Sequence, residues 1–481
     1  MNTYAQRSQR HQKKSPNYLL WVITILFAIL LMCGGTYVVI GLVQEKQIQS
    51  QIDRATKDLE GQIQKEQDHN KLATEKIKKD QSHTTSIIYL PKKDQKLPFD
   101  VSEDSFKKLI AAEKKKLKNT RQAVIVGQVA NESLSKQLGA YKLKINSYAW
   151  DEKKAQFIQQ PEVLDQAMYY AEDSGKAVTG KQLVASEANV LGIQQVIQQK
   201  ILDQAKDANK LIDTVLDMPR IQLDENLVYQ PDHLEVKLPE NKTGVKEMSL
   251  PYNDIRAFIQ KDLVDPRYLT IEDTPLTDDK KYIALSFDDG PNPETTPELL
   301  DILDEKKVKA TFFMLGQNAE AYPDVVKQVH DHGHIIGSHS YSHPQLNTLP
   351  ADELEQQIKQ TDKAIFEACG ILPRILRPPY GAIDADSAEV IGKPIIQWDI
   401  DSYDWESKNT AATIQQINQT VVPGGIILMH DIHPTTIEAV GTVIDDLRAS
   451  GYEIVTTEHI LSDQTKPLYQ YFGQDDARKI E

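Results

Sequence analysis

The chain has 481 residues and a formal net charge of −15. A protein this acidic is not expected to bind nucleic acid. Its two cysteines, Cys33 and Cys369, lie far apart, and the first lies in an apolar run, so we expect no disulfide between them. Roughly 430 residues follow that run, which is enough for two domains that rely on the size of their cores.

The apolar run extends from Tyr18 to Val43 without a charged residue and is long enough to cross a bilayer as a helix. Trp21 and Tyr37 suit positions near the two membrane interfaces. The residues before the run include four basic ones and no acidic one: Arg7, Arg10, Lys13 and Lys14. The positive-inside rule therefore predicts a cytoplasmic tail over 1–17, a transmembrane helix over 18–43 and an extracellular remainder.

A cleavable signal peptide is the alternative to this membrane anchor. The run is longer than the usual core of a signal peptide, and no clear small-x-small cleavage site follows it. Retention as a single-pass anchor in the cell membrane is therefore the prediction.

Two regions follow the anchor. Residues 44–85 are rich in Gln, Lys, Glu and Asp, with apolar residues at imperfect helical spacing. They predict a helical stalk, either a solvated single helix or a coiled coil with a thin, broken seam. Residues 86–266 mix strand-like pieces with helical ones at Phe106 to Leu117 and Val190 to Leu216. We predict an extracellular α+β region there, of one domain or two, which acts as a spacer or as a ligand sensor.

Short strand-like runs alternate with amphipathic stretches over residues 281–465, after a linker over 267–280 and before a C-terminal tail over 466–481. The strand-like runs are IALSF, ATFFML, HIIGS, ILRPP, IIQWDI, GIILM and YEIVT. Alternation of this length indicates a parallel sheet with helices outside it, closed or nearly closed as a barrel. Active sites of such barrels lie at the C-terminal ends of the strands.

The motifs SFDDG and HSYSH, about fifty residues apart, predict a metal-dependent hydrolase site. One of Asp288 and Asp289 can bind a cation while the other stays free as a base. His339 and His343 can reach the same cation if their segment makes a helical turn. One Asp and two His leave a zinc-sized ion with open positions for water and substrate, as in catalytic sites. Either motif alone is often accidental, but the two together favour this interpretation.

Three further motifs supply groups that hydrolysis still needs. In RPPYG, Arg377 can hold a carboxylate, and the prolines stiffen a backbone that can aim an N–H at an oxyanion. DSYDW adds two acids and an indole, and LMH ends a strand on His430, a candidate general acid. Taken singly, Arg377, Trp405 and His430 also fit structural roles in an ion pair, a core and a strand end.

In this order, SFDDG, HSYSH, RPPYG, DSYDW and LMH resemble the five motifs of the carbohydrate esterase family 4 polysaccharide deacetylases, which form the NodB homology domain. The resemblance covers residues 280–465, and Ser286 stands where the family usually has Thr. The distorted (β/α)7-type barrel of this family agrees with the alternation of strands and helices. We therefore predict an α/β fold with such a barrel as the catalytic domain.

The resemblance implies a metal centre and a base. Asp288 is the expected general base, and Arg377 is expected to orient it. Asp289, His339 and His343 are expected to hold one divalent cation. Zinc is the default expectation for these ligands, and cobalt, nickel or manganese are alternatives.

The resemblance also implies the remaining roles. His430 is expected to protonate the leaving amine, and Asp404 to pair with His430 and raise its pKa, with Asp401 as the weaker candidate. Tyr380 is expected to donate its backbone N–H to the oxyanion. The residues expected to line a small acetyl pocket are Trp405 and Leu428.

The predicted function is removal of acetyl groups from N-acetylglucosamine residues of peptidoglycan at the cell surface, as in the membrane-anchored Gram-positive members of the family. The anchor and stalk favour the cell wall as the nearest polymer, so the expected partners are wall polysaccharide and the lipid bilayer. Chitin-like polymers, poly-N-acetylglucosamine and acetylxylan are alternative substrates. A wall-binding or sensing protein with an inactive barrel is a further alternative, against which the intact set of motif residues argues.

Overall fold

A computed structural model describes residues 17–68, 74–92, 101–270, 276–277, 279–462 and 465–481. The chain forms two compact units, one of residues 1–132 with 140–168 and the other of residues 133–139 with 169–481. The division falls inside the region 86–266, which the sequence pattern alone does not divide. Parts of five predicted segments lie outside the described residues: residues 1–16 of the tail, 69–73 of the stalk, 93–100 of the α+β region, 271–275 and 278 of the linker, and 463–464 of the barrel domain. The predicted domain boundaries stay predictions.

Helix α1 (Asn17–Asp68) begins in the apolar run and continues well beyond it. The large apolar side chains between residues 18 and 43 are exposed. In the described part of the chain, this helix is long and apolar enough to cross a membrane. Signal sequences share this length and composition, so the structure establishes an apolar N-terminal helix and leaves its retention as a proposal.

The first unit is built on a mixed β-sheet against which helix α2 and the lower half of α1 pack. Its elements after α1 are β1 (Thr74–Gln81), β2 (Thr84–Pro91), α2 (Glu103–Lys116), β3 (Ala123–Ser133), β4 (Leu138–Asp151), β5 (Gln156–Gln159) and β6 (Val163–Leu164). Strands β1 and β2 are antiparallel, β2 and β3 are parallel, and β4 pairs antiparallel with β5 and β6. Phe106 of α2 is fully buried in a cluster with Ile125 and Ile145 of the sheet.

The predicted stalk over 44–85 is helical only as far as Asp68. Residues 74–81 form β1 instead, in a register that places Ile77 opposite Ile88 of β2. The prediction of helix in this part was wrong because pairing with a neighbouring strand outweighs the modest helix preference of Lys, Glu and Gln.

The lower half of α1 is part of the first unit. Its residue Ile63 is buried in a cluster with Ile87 of β2 and Val124 of β3. Apolar residues of the predicted stalk, such as Ile63, therefore pack on the sheet of their own unit. This part of the helix is neither a solvated single helix nor a strand of a coiled coil.

The second unit starts with a middle region in which helices pack against a small antiparallel sheet of order β10-β9-β8. Its elements are β7 (Met168–Ala171), α3 (Gly180–Val184), α4 (Glu187–Gln204), α5 (Ala208–Leu216), β8 (Leu227–Tyr229), β9 (His233–Lys237) and β10 (Glu247–Pro251). The helix predicted from Val190 to Leu216 is two helices, because Ala205 has an extended ψ of 137°. The apolar core of this region also contains Phe366 and Leu372 from the barrel that follows.

The rest of the second unit alternates strands with helices. The strands are β11 (Lys281–Asp288), β12 (Thr311–Met314), β13 (Ile335–Ser338), β14 (Ile395–Ile396), β15 (Ile400–Asp401), β16 (Gly425–His430), β17 (Tyr452–Val455), β18 (Tyr469–Gly473) and β19 (Asp476–Lys479). The helices are α6 (Thr295–Lys306), α7 (Gly316–Ala321), α8 (Pro323–Asp331), α9 (Ala351–Cys369), α10 (Ala385–Ile391), α11 (Asp404–Ser407), α12 (Thr410–Thr420), α13 (Pro434–Ala449) and α14 (Thr457–Leu461). This order confirms the predicted α/β class.

The strands curl into a distorted barrel. Strand β11 is parallel to β12 and β17 on one edge and to β16 on the other, and the sheet has the order β13-β12-β11-β16-β18-β14. Its two ends are joined by single-residue bridges from Ser338 to Leu376 and from Leu376 to Ile395. The predicted ILRPP strand is therefore reduced to the bridge at Leu376.

The C-terminal residues complete this sheet. Residues 466–481, which the sequence pattern sets apart as a tail, contain the β18–β19 hairpin. Strand β18 lies parallel to β14 and pairs once with β16, between Gly473 and Gly425. Tyr471 of β18 is buried, so the hairpin belongs to the core of the barrel. Its short, aromatic-rich strand pairs with a distant edge, and sequence periodicity alone does not show that partner.

The motifs meet at one end of the barrel. Asp288 is the last residue of β11, His339 follows β13, Arg377 follows the bridge at Leu376, and His430 ends β16. The C-terminal ends of parallel strands share one edge, so these side chains come together there.

Candidate metal centre and active site

Two carboxylates stand side by side where β11 ends. Asp288 is almost fully buried, and Asp289 is partly exposed. Asp289 has a φ of 76°, a left-handed conformation that is costly for a residue other than glycine. Backbone strain of this kind is concentrated at functional sites, where the surrounding structure holds it in place.

Asp289 forms a compact cluster with two histidines. Its Oδ1 lies 3.5 Å from Nε2 of His339 and 3.5 Å from Nε2 of His343. One ligand atom from each of these three residues lies within 4.8 Å of the other two. Asp289 Oδ1 is buried and has no hydrogen-bond partner in the described part of the chain. A buried carboxylate oxygen without a donor, between two imidazole nitrogens, fits a divalent cation.

The two histidines meet without the helical turn that their spacing of four residues suggested as one route. Their segment is a loop in which Ser340 has a φ of 67° and His343 a φ of 64°. Ser340 Oγ accepts a hydrogen bond from the backbone N–H of His343 at 3.1 Å, which closes the loop on itself. Both rings reach one site, as the spacing of four residues allows, and a loop achieves this in place of a helical turn.

His339 is held in the form that a metal ligand needs. Its Nδ1 donates a hydrogen bond to the backbone carbonyl of Arg377 at 2.7 Å, which leaves Nε2 with the lone pair that faces Asp289. Burial lowers the pKa of His339 to about 3, so this imidazole is neutral near pH 7. Only the neutral ring can donate its lone pair to a cation.

Arg377 fixes the orientation of Asp288. Its fully buried guanidinium donates through Nη1 to Asp288 Oδ1 and to Ser286 Oγ, both at 2.8 Å. Nε and Nη2 donate to the carbonyls of Ile396 and Gln397 at 3.0 and 2.9 Å. Burial raises the pKa of Asp288, and the positive charge of Arg377 counteracts part of that effect. Asp288 Oδ2 lies 3.8 Å from His339 Nε2, beside the metal cluster.

His430 and Asp404 form a second buried pair. His430 Nδ1 donates to Asp404 Oδ1 at 2.8 Å, and the backbone N–H of His430 donates to Asp404 Oδ2 at 2.8 Å. Burial disfavours the charged imidazole, but the hydrogen bond and charge of Asp404 outweigh it and raise the pKa of His430 to about 9. Asp401, the weaker candidate for this pairing, instead accepts a hydrogen bond from the backbone N–H of Tyr403.

Three residues expected to contact substrate surround these groups. Tyr380 is 70% exposed, has a φ of 62°, and places its ring centroid 4.8 Å from that of His343. Trp405 is half-exposed and donates its backbone N–H to Asp404 Oδ1 at 2.9 Å. Leu428 is buried in β16, two residues before His430. Their roles with substrate stay a proposal.

Several residues outside the five motifs support the site. Thr436 Oγ1 donates to Asp404 Oδ2 at 2.8 Å, and Gln397 Nε2 donates to the carbonyl of Gly381 at 3.0 Å, next to Tyr380. Neither lies in a motif, so no sequence signal marked them.

Asp431 was also missed, although it directly follows His430. It is fully buried, accepts a hydrogen bond from Thr296 Oγ1 at 2.6 Å, and lies against Gly290. A Cβ at Gly290 would come within 2.2 Å of its Oδ2, so this position needs glycine. Burial raises the pKa of Asp431 to about 7.

The arrangement provides the parts of an amide hydrolase. It combines ligands for one cation, a buried carboxylate that a guanidinium orients, and a charged imidazole at the end of the neighbouring strand, where His430 is the register partner of Asp288. Two groups that can exchange protons near a metal centre suit the attack of water and the departure of an amine.

Comparison with known proteins agrees with this chemistry. The family described as "Polysaccharide deacetylase" matches residues 276–393, and "Peptidoglycan GlcNAc deacetylase N-terminal domain" matches residues 57–271. The chain is 29% identical to a peptidoglycan-N-acetylglucosamine deacetylase, PgdA, of Listeria monocytogenes, over 96% of this chain and 99% of the relative. A chitooligosaccharide deacetylase of Azorhizobium caulinodans is 34% identical over 37% of this chain and 94% of its own length.

A solved structure of the peptidoglycan deacetylase PdaC from Bacillus subtilis is 35% identical, covering 39% of this chain and 94% of that chain, with a TM-score of 0.38. The resemblance inferred from the five motifs is confirmed by the matched family and by the identity to the Azorhizobium relative over nearly its whole length. The chain belongs to the polysaccharide deacetylase family.

Proposed function

We propose that this protein removes the acetyl group from N-acetylglucosamine residues of peptidoglycan at the cell surface. The cluster of Asp289, His339 and His343 beside Asp288 and His430 carries the proposal, because these groups together supply what hydrolysis of an acetamide needs. The similarity to the Listeria enzyme over nearly the whole of both chains supports peptidoglycan as the substrate.

Asp289, His339 and His343 would hold one divalent cation. When bound, this ion supplies positive charge that polarises the acetyl carbonyl and brings the pKa of a water molecule towards neutrality. Zinc suits one carboxylate and two imidazoles, and cobalt, nickel and manganese accept the same ligands.

Asp288 acts as the general base. Arg377 occupies its Oδ1, so Oδ2, which lies beside the cluster, is the atom that takes a proton from the attacking water. The water oxygen forms a bond to the acetyl carbon. The backbone N–H of Tyr380 stabilises the resulting oxyanion, and the left-handed turn at Tyr380 and Gly381 orients this N–H.

His430 acts as the general acid. Asp404 binds its Nδ1, so Nε2 carries the proton that is passed to the glucosamine nitrogen as the carbon–nitrogen bond breaks. Acetate and the free amine are the products. Trp405 and Leu428 enclose the acetyl methyl group, which limits the size of the acyl group that fits.

The N-terminal helix α1 would hold the enzyme at the outer face of the membrane, with residues 1–17 in the cytoplasm. An uncharged stretch that follows a purely basic segment supports this orientation. It brings the barrel close to the wall, in agreement with a peptidoglycan substrate.

The direct experiment measures acetate released by the full chain in detergent from purified peptidoglycan, chitin oligomers and acetylxylan. We expect release from peptidoglycan, with loss in a chelator and recovery on addition of Zn²⁺. Faster release from chitin oligomers would assign the enzyme to the substrate of its Azorhizobium relative. Binding of wall fragments without acetate release from any substrate would instead favour a wall-binding protein with an inactive barrel.

A further inference from the structure

The loop that carries both histidines is held in a conformation that its own sequence does not favour. Ser340 and His343 both have positive φ values, and neither is glycine. Each such residue costs about 1–2 kcal/mol, so contacts outside the loop must stabilise it.

Gln357, on helix α9, provides such contacts from outside all five motifs. Its Oε1 accepts hydrogen bonds from the backbone N–H groups of Tyr341 and Ser342, at 2.9 and 3.0 Å. Its Nε2 donates to Ser342 Oγ at 3.1 Å. One side chain thus binds two consecutive amides between His339 and His343.

Helix α7 also binds this loop, but here the helix donates the hydrogen bonds and the loop accepts them. The backbone N–H groups of Gly316 and Gln317 donate to the carbonyls of Ser340 and Tyr341, both at 3.0 Å. Two carbonyls of the loop, those of Ser340 and Tyr341, are therefore bound by α7, and two of its amides, those of Tyr341 and Ser342, by Gln357. Loss of Gln357 would leave two amides without their acceptor while the other contacts remain.

Helix α9 is a firm support for this side chain. Its residues Leu354, Ile358 and Ile365 are buried, and it packs against α7, α8 and α10. Phe366 of α9 also lies in the core of the middle region. The packing of α9 therefore fixes the backbone of Gln357 independently of the loop that its side chain binds.

We propose that Gln357 is a positioning residue for the metal centre: through the amides of Tyr341 and Ser342 it holds the loop so that His343 reaches Asp289. This inference rests on the proposed metal site, to which it adds a residue that contacts neither cation nor substrate. His343 is the more exposed of the two histidines, so the loop sets its position more than packing does.

The test measures the affinity of the full chain in detergent for Zn²⁺ alone, by competition with a chromogenic chelator. Gln357→Ala should weaken Zn²⁺ binding by about tenfold or more, the usual range for groups that support metal ligands. Gln357→Glu should restore most of the affinity, because a carboxylate still accepts from both amides. Gln356→Ala is the matched control, since Gln356 is the exposed neighbour on the same helix, and it should leave the affinity within twofold.

Equal affinities of the Gln357→Ala and Gln356→Ala proteins would overturn the proposal, and so would a Gln357→Glu protein as weak as Gln357→Ala. If Gln357→Ala lowers the amount of folded protein, Gln357→Met has nearly the same volume without an acceptor and should show the same loss. A wild-type protein that binds no Zn²⁺ would instead contradict the proposed metal site itself.

Discussion

His430 Nδ1 lies 2.8 Å from Asp404 Oδ1, and the side chain of Asp404 is fully buried in the barrel. Thr436 and the backbone N–H of His430 bind the other oxygen of the carboxylate, so its orientation is fixed. A fixed, buried carboxylate next to an imidazole favours the charged ring, and it does so here strongly enough to overcome burial.

The first prediction concerns pH. His430 is charged below a pKa of about 9, so the acid form is present at neutral pH and is lost as the pH rises through that value. The rate of deacetylation should therefore fall on the alkaline side. Asp404→Asn removes the charge that raises this pKa, so the alkaline limb should move to lower pH. The measurement is kcat/KM against pH for both proteins, and an unmoved limb in Asp404→Asn would show that a different group titrates there.

The second prediction concerns the leaving group. If His430 Nε2 protonates the departing amine, His430→Ala should lower amide hydrolysis by about 10²–10⁴-fold. Hydrolysis of an activated aryl acetate should be much less affected, because its leaving group departs without a proton. The comparison needs both substrates on one preparation of protein with the same Zn²⁺ content. Loss of the same factor for both would assign His430 to positioning or to oxyanion stabilisation.

The sequence indicated which residues meet at the end of the barrel. It indicated less well the backbone conformation and the side chains that hold these residues in place. Asp288, Asp289, His339 and His343 are chemically distinctive and stand at strand ends, so their meeting follows from the order of strands and helices. The turn that brings His343 to Asp289 depends on positive φ values at Ser340 and His343. A positive φ is not predictable from the sequence at a residue other than glycine. Gln357 and Gln397 act from distant elements, and nothing in their neighbours along the chain marks them.

Local sequence patterns likewise predicted some parts of the fold and missed others. The alternation of apolar strands and amphipathic helices predicted the α/β barrel, because each local period reflects one buried face. Strand β1 was missed because its Lys-rich sequence shows no alternation of apolar residues, although its partner β2 follows directly. Strand β18 was missed because it pairs with the distant strand β14. In residues 74–81, pairing with the next strand, β2, overrides the propensity of a Lys-rich segment.

The third prediction separates the two adjacent carboxylates. Asp288→Asn keeps the shape of the side chain and should preserve Zn²⁺ affinity while it lowers turnover by about 10²–10⁴-fold, because an amide cannot accept the proton of water. Asp289→Asn should weaken Zn²⁺ binding itself, since it removes the only charged group among the three ligands. Zn²⁺ affinity and kcat at saturating Zn²⁺ are measured for each protein. Opposite results would exchange the two roles, and equal loss of metal would show that they cannot be divided.

The fourth prediction concerns how much of the chain the barrel needs. Residues 270–481 contain all the proposed ligands and should bind one divalent cation and lose activity in a chelator. This fragment exposes Phe366 and Leu372, which are 4% and 6% exposed in the whole chain and pack in the core of the middle region. Burial of each such side chain is worth about 1.5–3 kcal/mol. Gln199 Oε1 also accepts from the N–H of Leu372 at 2.8 Å, and this bond is lost in the fragment.

Residues 169–481 should therefore unfold at a higher temperature than residues 270–481, with the same stoichiometry of bound Zn²⁺. The matched control is the double substitution Phe366→Ser and Leu372→Ser. It should destabilise residues 169–481, where these side chains are buried, and leave the melting temperature of residues 270–481 nearly unchanged, because there they already face water. Thermal unfolding of the four proteins decides the matter. If the two unsubstituted fragments melt together, the middle region contributes nothing to the stability of the barrel, and its apolar contact with helix α9 has to be explained by another role.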